Sequence, residues 1–210
     1  MKRTFFLIPL AALALAGCGG ASAERVSASA LAGKPACPTA SAPGWKRLAN
    51  EIQALVYCPA WMPRPLDAVI GGRFANGRSV DKDGSYLISF VWLERAENGI
   101  SGEVHVNLRG YPGRTALPGC VDLLRIKGRL TRKAVPCFAD ARGTRRIGAI
   151  RATVYTANQG ADAWHVLYAW RQNGSLYSIS EHVAPPYSFT QVVRNLDRML
   201  RTLVAIKPAV

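Results

Sequence analysis

Acidic residues are scarce in this 210-residue chain: 13 Asp and Glu stand against 27 Lys and Arg, a formal net charge of +14. Histidine is scarcer still, at His105, His165 and His182. No apolar run approaches the roughly 20 residues needed to cross a bilayer; the stretch from Phe5 to Ala16 holds twelve, Pro9 among them. Several chemical signatures are missing as well. There is no H-E-x-x-H, no C-x₂-C pair and no G-x-S-x-G elbow, which removes the local marks of zinc proteases, zinc ribbons and α/β-hydrolases. Gly71-Gly72 lacks the strand-to-helix setting of a phosphate loop. No cofactor and no metal is expected from these residues.

What is present begins at the leader. Met1, Lys2 and Arg3 precede the apolar stretch, and Gly17 and Cys18 follow it, the layout of a secretory signal peptide. Leu15-Ala16-Gly17-Cys18 resembles the lipobox of bacterial lipoproteins. The resemblance implies that residues 1–17 are cleaved, that the Cys18 sulfur carries a diacylglycerol, and that the protein is exported and anchored to the outer face of the cell membrane. At about 0.8 kcal/mol per buried CH₂, two acyl chains make a lasting anchor. Cleavage removes Lys2 and Arg3, leaving 25 cations against 13 acids, a charge of +12.

Five cysteines are an awkward number for an oxidising compartment, but lipidation takes Cys18. Cys37, Cys58, Cys120 and Cys137 then form an even set. Four cysteines allow three pairings; the sequential one, Cys37 with Cys58 and Cys120 with Cys137, closes two modest loops, each contributing on the order of 3 kcal/mol.

From Cys18 to Pro43 the chain is rich in Ala, Ser, Gly and Pro and too poor in large apolar residues to fold alone, so it reads as a tether. Residues 44–210 read as one α+β domain: an antiparallel β-sheet built from hairpins, packed against a short N-terminal helix and a long C-terminal amphipathic helix. Trp45, Leu48, Ile52, Leu55 and Val56 recur at helical steps from 45 to 57. Strand-like segments run from Ser85 to Leu93, Gly102 to Arg109, Ile147 to Thr156, Ala163 to Arg171 and Ser175 to Val183. Asn98-Gly99 and Asn173-Gly174 supply hairpin turns, and Asn76-Gly77 suggests another. Both faces of 163–171 are apolar, as in a central covered strand, with Trp164 grouped with Val166, Tyr168 and Trp170. In 102–109, Val104, Val106 and Leu108 point inward, while His105, Asn107 and Arg109 should face water. A stripe from Phe189 through Val193 and Leu196 to Val204 gives the final helix, with Ser188 and Gln191 as its capping box.

Asp81-Lys82-Asp83-Gly84-Ser85 resembles the opening of a calcium loop, but Trp92 stands where the twelfth-position glutamate belongs, and an Asp-Gly turn accounts for it. The one charged constellation is the loop between Cys120 and Cys137, with Arg125, Lys127, Arg129, Arg132 and Lys133 against the single acid Asp122; Arg142, Arg145, Arg146 and Arg151 follow. These cations could share one surface that grips phosphate or carboxylate groups.

From Val56 onward the chain resembles extracytoplasmic domains of unknown function in Gram-positive lipoproteins and regulators, with Trp164 to Val204 as the matching part; a PsbP-like α/β/α arrangement is compatible. The resemblance transfers no functional residue. The leading expectation is a non-enzymatic surface lipoprotein that binds an anionic envelope component, anionic lipid or wall polymer, or a partner protein; export argues against nucleic acid. A carrier or sensor of an apolar ligand is second, motivated by Trp92, Trp164, Tyr168, Trp170 and Tyr177. An envelope hydrolase is third.

Overall fold

The computed structural model describes residues 34–126 and 128–209; Cys18, the leader and most of the tether lie outside them. The chain runs α1 (Ala42–Ile52), β1 (Val56–Pro59), β2 (Ala75–Val80), β3 (Tyr86–Ala96), β4 (Gly99–Tyr111), β5 (Gly119–Ile126), β6 (Arg129–Pro136), β7 (Phe138–Ile147), β8 (Ile150–Asn158), a 3-10 turn (Gly160–Asp162), β9 (His165–Gln172), β10 (Ser175–His182), α2 (Phe189–Arg201) and β11 (Leu203–Ile206). Seven strands form one antiparallel sheet in the order β2-β3-β4-β10-β9-β8-β7. The α+β class and the antiparallel sheet are those read from the sequence.

Hairpin chemistry sets the local order. Asn173 (φ 50°) and Gly174 (φ 72°) are both left-handed, as a two-residue turn between β9 and β10 requires, so Ser175 pairs with Gln172. Gly99 closes the β3–β4 hairpin opposite Ala96. Ser188 caps α2: its backbone N–H donates to Gln191 Oε1 at 2.8 Å.

One face of the sheet builds the main core. Ile88, Phe90, Val106, Leu108, Tyr168 and Ile179 meet Trp45 and Leu48 of α1, Val56 of β1, and Val192, Leu196 and Met199 of α2. On the other face Phe138, Tyr155, Leu167, Ala169 and Leu176 form a second cluster against the Cys120–Cys137 disulfide. The other disulfide joins Cys37 to Cys58, so both sequential pairs are present.

Several elements differ from the sequence reading. Val56 and Tyr57 do not continue α1 but open β1; Leu203 and Val204 do not extend α2 but lie in β11, and the two short strands pair antiparallel. β-branched residues at both places, beside the disulfide at Cys58, favour a ladder over further helical turns. Val192, Leu196, Met199 and Leu200 are the buried residues of α2, with Val193 only partly covered. Asn76-Gly77 lies inside β2 at a bulge rather than in a turn. The 147–156 segment divides at Gly148 (φ 58°), where β7 turns into β8. The expected loop from 120 to 137 is the β5–β6 hairpin.

Candidate functional sites: a projecting hairpin and a histidine cluster

β5 and β6 pair only with each other, outside the seven-stranded sheet. The Cys120–Cys137 bond closes the base of this hairpin, and the Cys137 N–H donates to Pro118 O at 3.0 Å. At the far end Gly128 (φ 80°) makes the turn and Arg125 donates to its carbonyl at 3.2 Å. The register places Val121 opposite Ala134, Leu123 opposite Arg132, and Arg125 opposite Leu130. Strand alternation therefore gathers Val121, Leu123, Arg125, Leu130, Arg132 and Ala134 on one face, with Asp122, Arg129 and Lys133 on the other. Nothing among the described residues covers that first face: Val121, Leu123 and Leu130 are 53%, 60% and 66% exposed.

The sequence-predicted cations divide accordingly. Arg125, Arg129, Arg132 and Lys133 are all exposed on the hairpin, and among the described residues none forms a salt bridge. Lys127 lies outside the described residues. Arg146 and Arg151 pair across β7 and β8. Arg145 is opposite Ala152 of the main core, so it projects on the helix-bearing side. Arg142 is engaged by Asp140 at 2.5 Å and donates to Thr156 Oγ1 at 3.2 Å. The nine cations do not share one surface, because the alternation of β7 sends neighbouring arginines to opposite sides. The exposed apolar residues went unnoticed in sequence because the arginines between them mask a period-two pattern.

A second site was not foreseen. His105 on β4, His165 on β9 and His182 on β10 meet on the face opposite the helices. His105 and His165 ring centres are 4.7 Å apart and His165 stacks on His182 at 5.3 Å. The Glu103 carboxylate lies 3.1 Å from His105 Nδ1 and 3.2 Å from His182 Nδ1, the latter without hydrogen-bond alignment. The row His105, Asn107, Arg109 does not face open water, because the 3-10 turn at 160–162 lies over it. Asn107 Nδ2 donates to Ala161 O at 2.8 Å and Asp162 Oδ1 at 3.0 Å, and Arg109 Nε stands 2.8 Å from Asp162 Oδ2.

Hydrogen-bond partners fix the tautomer of His165. His105 Nε2 lies 2.9 Å from Ser89 Oγ and 3.1 Å from Asn107 Oδ1, while its Nδ1 faces the Glu103 carboxylate. Ser180 Oγ donates to Asp162 Oδ1 at 2.6 Å and so accepts from His165 Nδ1 at 2.9 Å. Burial pushes the His165 imidazole down to about 2, helped by His105, His182 and Arg109, and burial likewise lowers His105 against the opposing pull of Glu103.

This set holds a serine, a histidine and a carboxylate, yet not in the order a hydrolase uses. The serine proton goes to the aspartate rather than to the imidazole, and Ser180 is 1% exposed, out of reach of a substrate. No three His, Cys, Asp or Glu side chains among the described residues are arranged to hold a metal ion. Asp83 of the calcium-like segment binds Ser85 N at 2.9 Å and Arg114 at 3.0 Å. Of the five aromatics, Trp164 lines an open pocket of about 460 Å³ with Thr156, Asn158, Gln159 and Ala163, and the others do not join it there. Tyr57 packs edge-on against Trp170 and Tyr177 in the core, and Trp164, at φ 65°, leaves the face of its neighbours and is 82% exposed. A cleft of about 540 Å³ between the 59–69 segment and Arg198 contains none of the five aromatics singled out in sequence.

Comparison with protein-family models, curated proteins and solved structures finds no match for this chain.

Proposed function

We propose that the protein is an exported lipoprotein, anchored to the outer face of the cell membrane through Cys18, and that its folded domain is a non-enzymatic module binding an anionic envelope component through the β5–β6 hairpin. The single observation that carries this is the hairpin itself: a disulfide-braced arm presenting Arg125, Arg129, Arg132 and Lys133 to solvent without acidic partners among the described residues. Arginine forks match phosphate and carboxylate oxygens, and a disulfide-closed strand pair presents them with less backbone ordering on binding than a loop would need. Two disulfides support an oxidising location. No helix among the described residues is long and apolar enough to cross a membrane.

Two measurements test the proposal. Labelled palmitate should be incorporated by the wild-type protein and not by Cys18→Ser. Protein held in neutral detergent should be retained on immobilised anionic phospholipid or wall polymer and released by salt. Replacing Arg125, Arg129, Arg132 and Lys133 with serine should lower the eluting salt concentration clearly; an unchanged elution position would remove the hairpin from the binding surface.

A further inference from the structure

We propose that the β5–β6 hairpin is a shallow membrane-inserting arm, whose Val121, Leu123 and Leu130 enter the acyl boundary of an anionic phospholipid bilayer while Arg125 and Arg132 hold lipid phosphates. This rests on the anionic-surface function above and deepens it by choosing lipid over polymer.

The choice follows from what shares the face. Three large apolar side chains stand more than half exposed on a strand pair that no other element among the described residues covers. A wall polymer offers anions but no apolar layer to receive them. A bilayer interface offers both within roughly 5–10 Å of depth. The register supplies the matching geometry, because each arginine of this face sits directly across from a leucine: Arg132 from Leu123 and Arg125 from Leu130. Val121 to Arg125 spans about 13 Å of strand at ~3.3 Å per residue, so one flat contact reaches all five side chains. Asp122 lies on the opposite face by alternation and does not oppose the headgroups.

The backbone limits the depth. A two-stranded ribbon has unpaired N–H and C=O groups along both outer edges, and these cannot enter hydrocarbon without partners. The hairpin therefore lies on the interface with its side chains immersed, and does not span. Its fixed base at Cys120–Cys137 sets the approach of the domain above. Lipid anchorage and hairpin insertion would then be two contacts on one molecule, the second acting at the high effective concentration that the first provides.

The test uses the full chain in vesicles, with bromine on the lipid acyl chains and an added tryptophan as depth probe. Leu123→Trp places the probe on the inserting face and Thr131→Trp, at an exposed uncharged position, on the opposite one. With phosphatidylglycerol in the vesicles, the added fluorescence of Leu123→Trp should be strongly quenched and that of Thr131→Trp little. Vesicles of phosphatidylcholine alone should quench neither. Leu130→Ser in the Leu123→Trp background should weaken the quenching response about tenfold in lipid requirement.

Trypsin cleavage at Arg125, Arg129 and Arg132 is followed in the same samples. Protection by phosphatidylglycerol without quenching would overturn insertion while leaving anionic docking standing. Neither protection nor quenching would overturn both. Protection that grows with protein concentration in detergent, without lipid, would identify a second copy of the chain as the occupant and overturn the lipid assignment.

Discussion

Asp162, carried on a single 3-10 turn outside the sheet, accepts the hydroxyl proton of Ser180 at 2.6 Å and so fastens that turn to the middle of β10. The same carboxylate takes Asn107 Nδ2 on Oδ1 and lies beside Arg109 on Oδ2, with its side chain almost fully buried. One residue thereby holds three strand side chains beneath the turn.

Removing it should be expensive. Asp162→Ala leaves Arg109 without its counter-charge, the Ser180 hydroxyl without its acceptor and the Asn107 amide with only the Ala161 carbonyl, a loss of about 3–5 kcal/mol. Chemical denaturation should show that drop, and amide exchange at 158–164 should accelerate in the native state. A loss below about 1 kcal/mol with unchanged exchange would mean that water replaces the carboxylate.

Stability should also depend on pH in a distinctive way, set by two buried groups on opposite faces. His165 is pushed down to about 2 by burial, and Glu181 is pushed up to about 8 by burial, against the opposing hydrogen bond that Asn195 donates at 2.8 Å. The depressed histidine contributes stability that is complete above its unfolded value near 6.5 and is lost as pH falls below it. The raised carboxyl contributes stability complete below its unfolded value near 4.5 and lost as pH rises toward 8. Between about 4.5 and 6.5 the two slopes are equal and opposite, so the pair gives a plateau with a fall on each side. His105, also lowered, loses its contribution as pH falls below 6.5 and so tilts the upper part of that plateau downward toward acid.

The alkaline limb isolates Glu181. The unfolding free energy should decline from pH 6.5 to pH 8 in the wild type, at about 1.4 kcal/mol per pH unit. Glu181→Gln keeps an acceptor for Asn195 and should abolish that limb while leaving the acid limb intact. Parallel wild-type and mutant profiles above pH 6.5 would show that Glu181 is ionised in the folded protein.

Some of this architecture was legible in the sequence. Asn173-Gly174 dictates its hairpin because only left-handed residues close a two-residue turn with the right twist, and cysteine spacing favours, among three possible pairings, the sequential one that both disulfides follow. What was not legible depended on strand order. His105, His165 and His182 are far apart along the chain and come together only because β4, β10 and β9 are neighbours. Nothing local in Gly160–Asp162 announces that it covers Asn107. Short segments were misjudged for a related reason: Val56–Pro59 and Leu203–Ile206 gain strand character from each other, an interaction no periodicity within either segment contains. The hairpin was recognised as a cationic segment and missed as a strand pair, since charge density concealed the alternation of Val121 and Leu123.

A close approach across β3 and β4 makes a third prediction. Gly110 pairs with Tyr86, and the Tyr86 ring lies where a side chain on Gly110 would stand. Tyr86 is buried in the main core, so the ring has little room to retreat. Gly110→Ala should cost about 1–3 kcal/mol through displaced packing. Paired with Tyr86→Leu, the alanine should be far better tolerated; additive losses in that double-mutant cycle would place the strain elsewhere.

The two disulfides should differ in what their removal does. Cys37–Cys58 and Cys120–Cys137 have sequence separations of 21 and 17, so by loop entropy alone each constrains the unfolded chain by about 3 kcal/mol. In the native state they are not equivalent. Cys58 is fully buried in the main core and lies in β1, opposite Val204 of β11, so cutting the first bond leaves the native fold ordered and exposes the full entropic loss. Cutting the second frees a hairpin that no other strand supports, and the native chain gains conformational freedom that offsets much of the loss. Cys37→Ala with Cys58→Ala should therefore lower global stability by about 3 kcal/mol. Cys120→Ala with Cys137→Ala should lower it by about 1 kcal/mol while trypsin cuts rapidly at Arg125 and Arg129 in the otherwise folded protein. Equal global losses, with no new cleavage in the hairpin, would show that the β5–β6 arm holds its structure without the bond at its base.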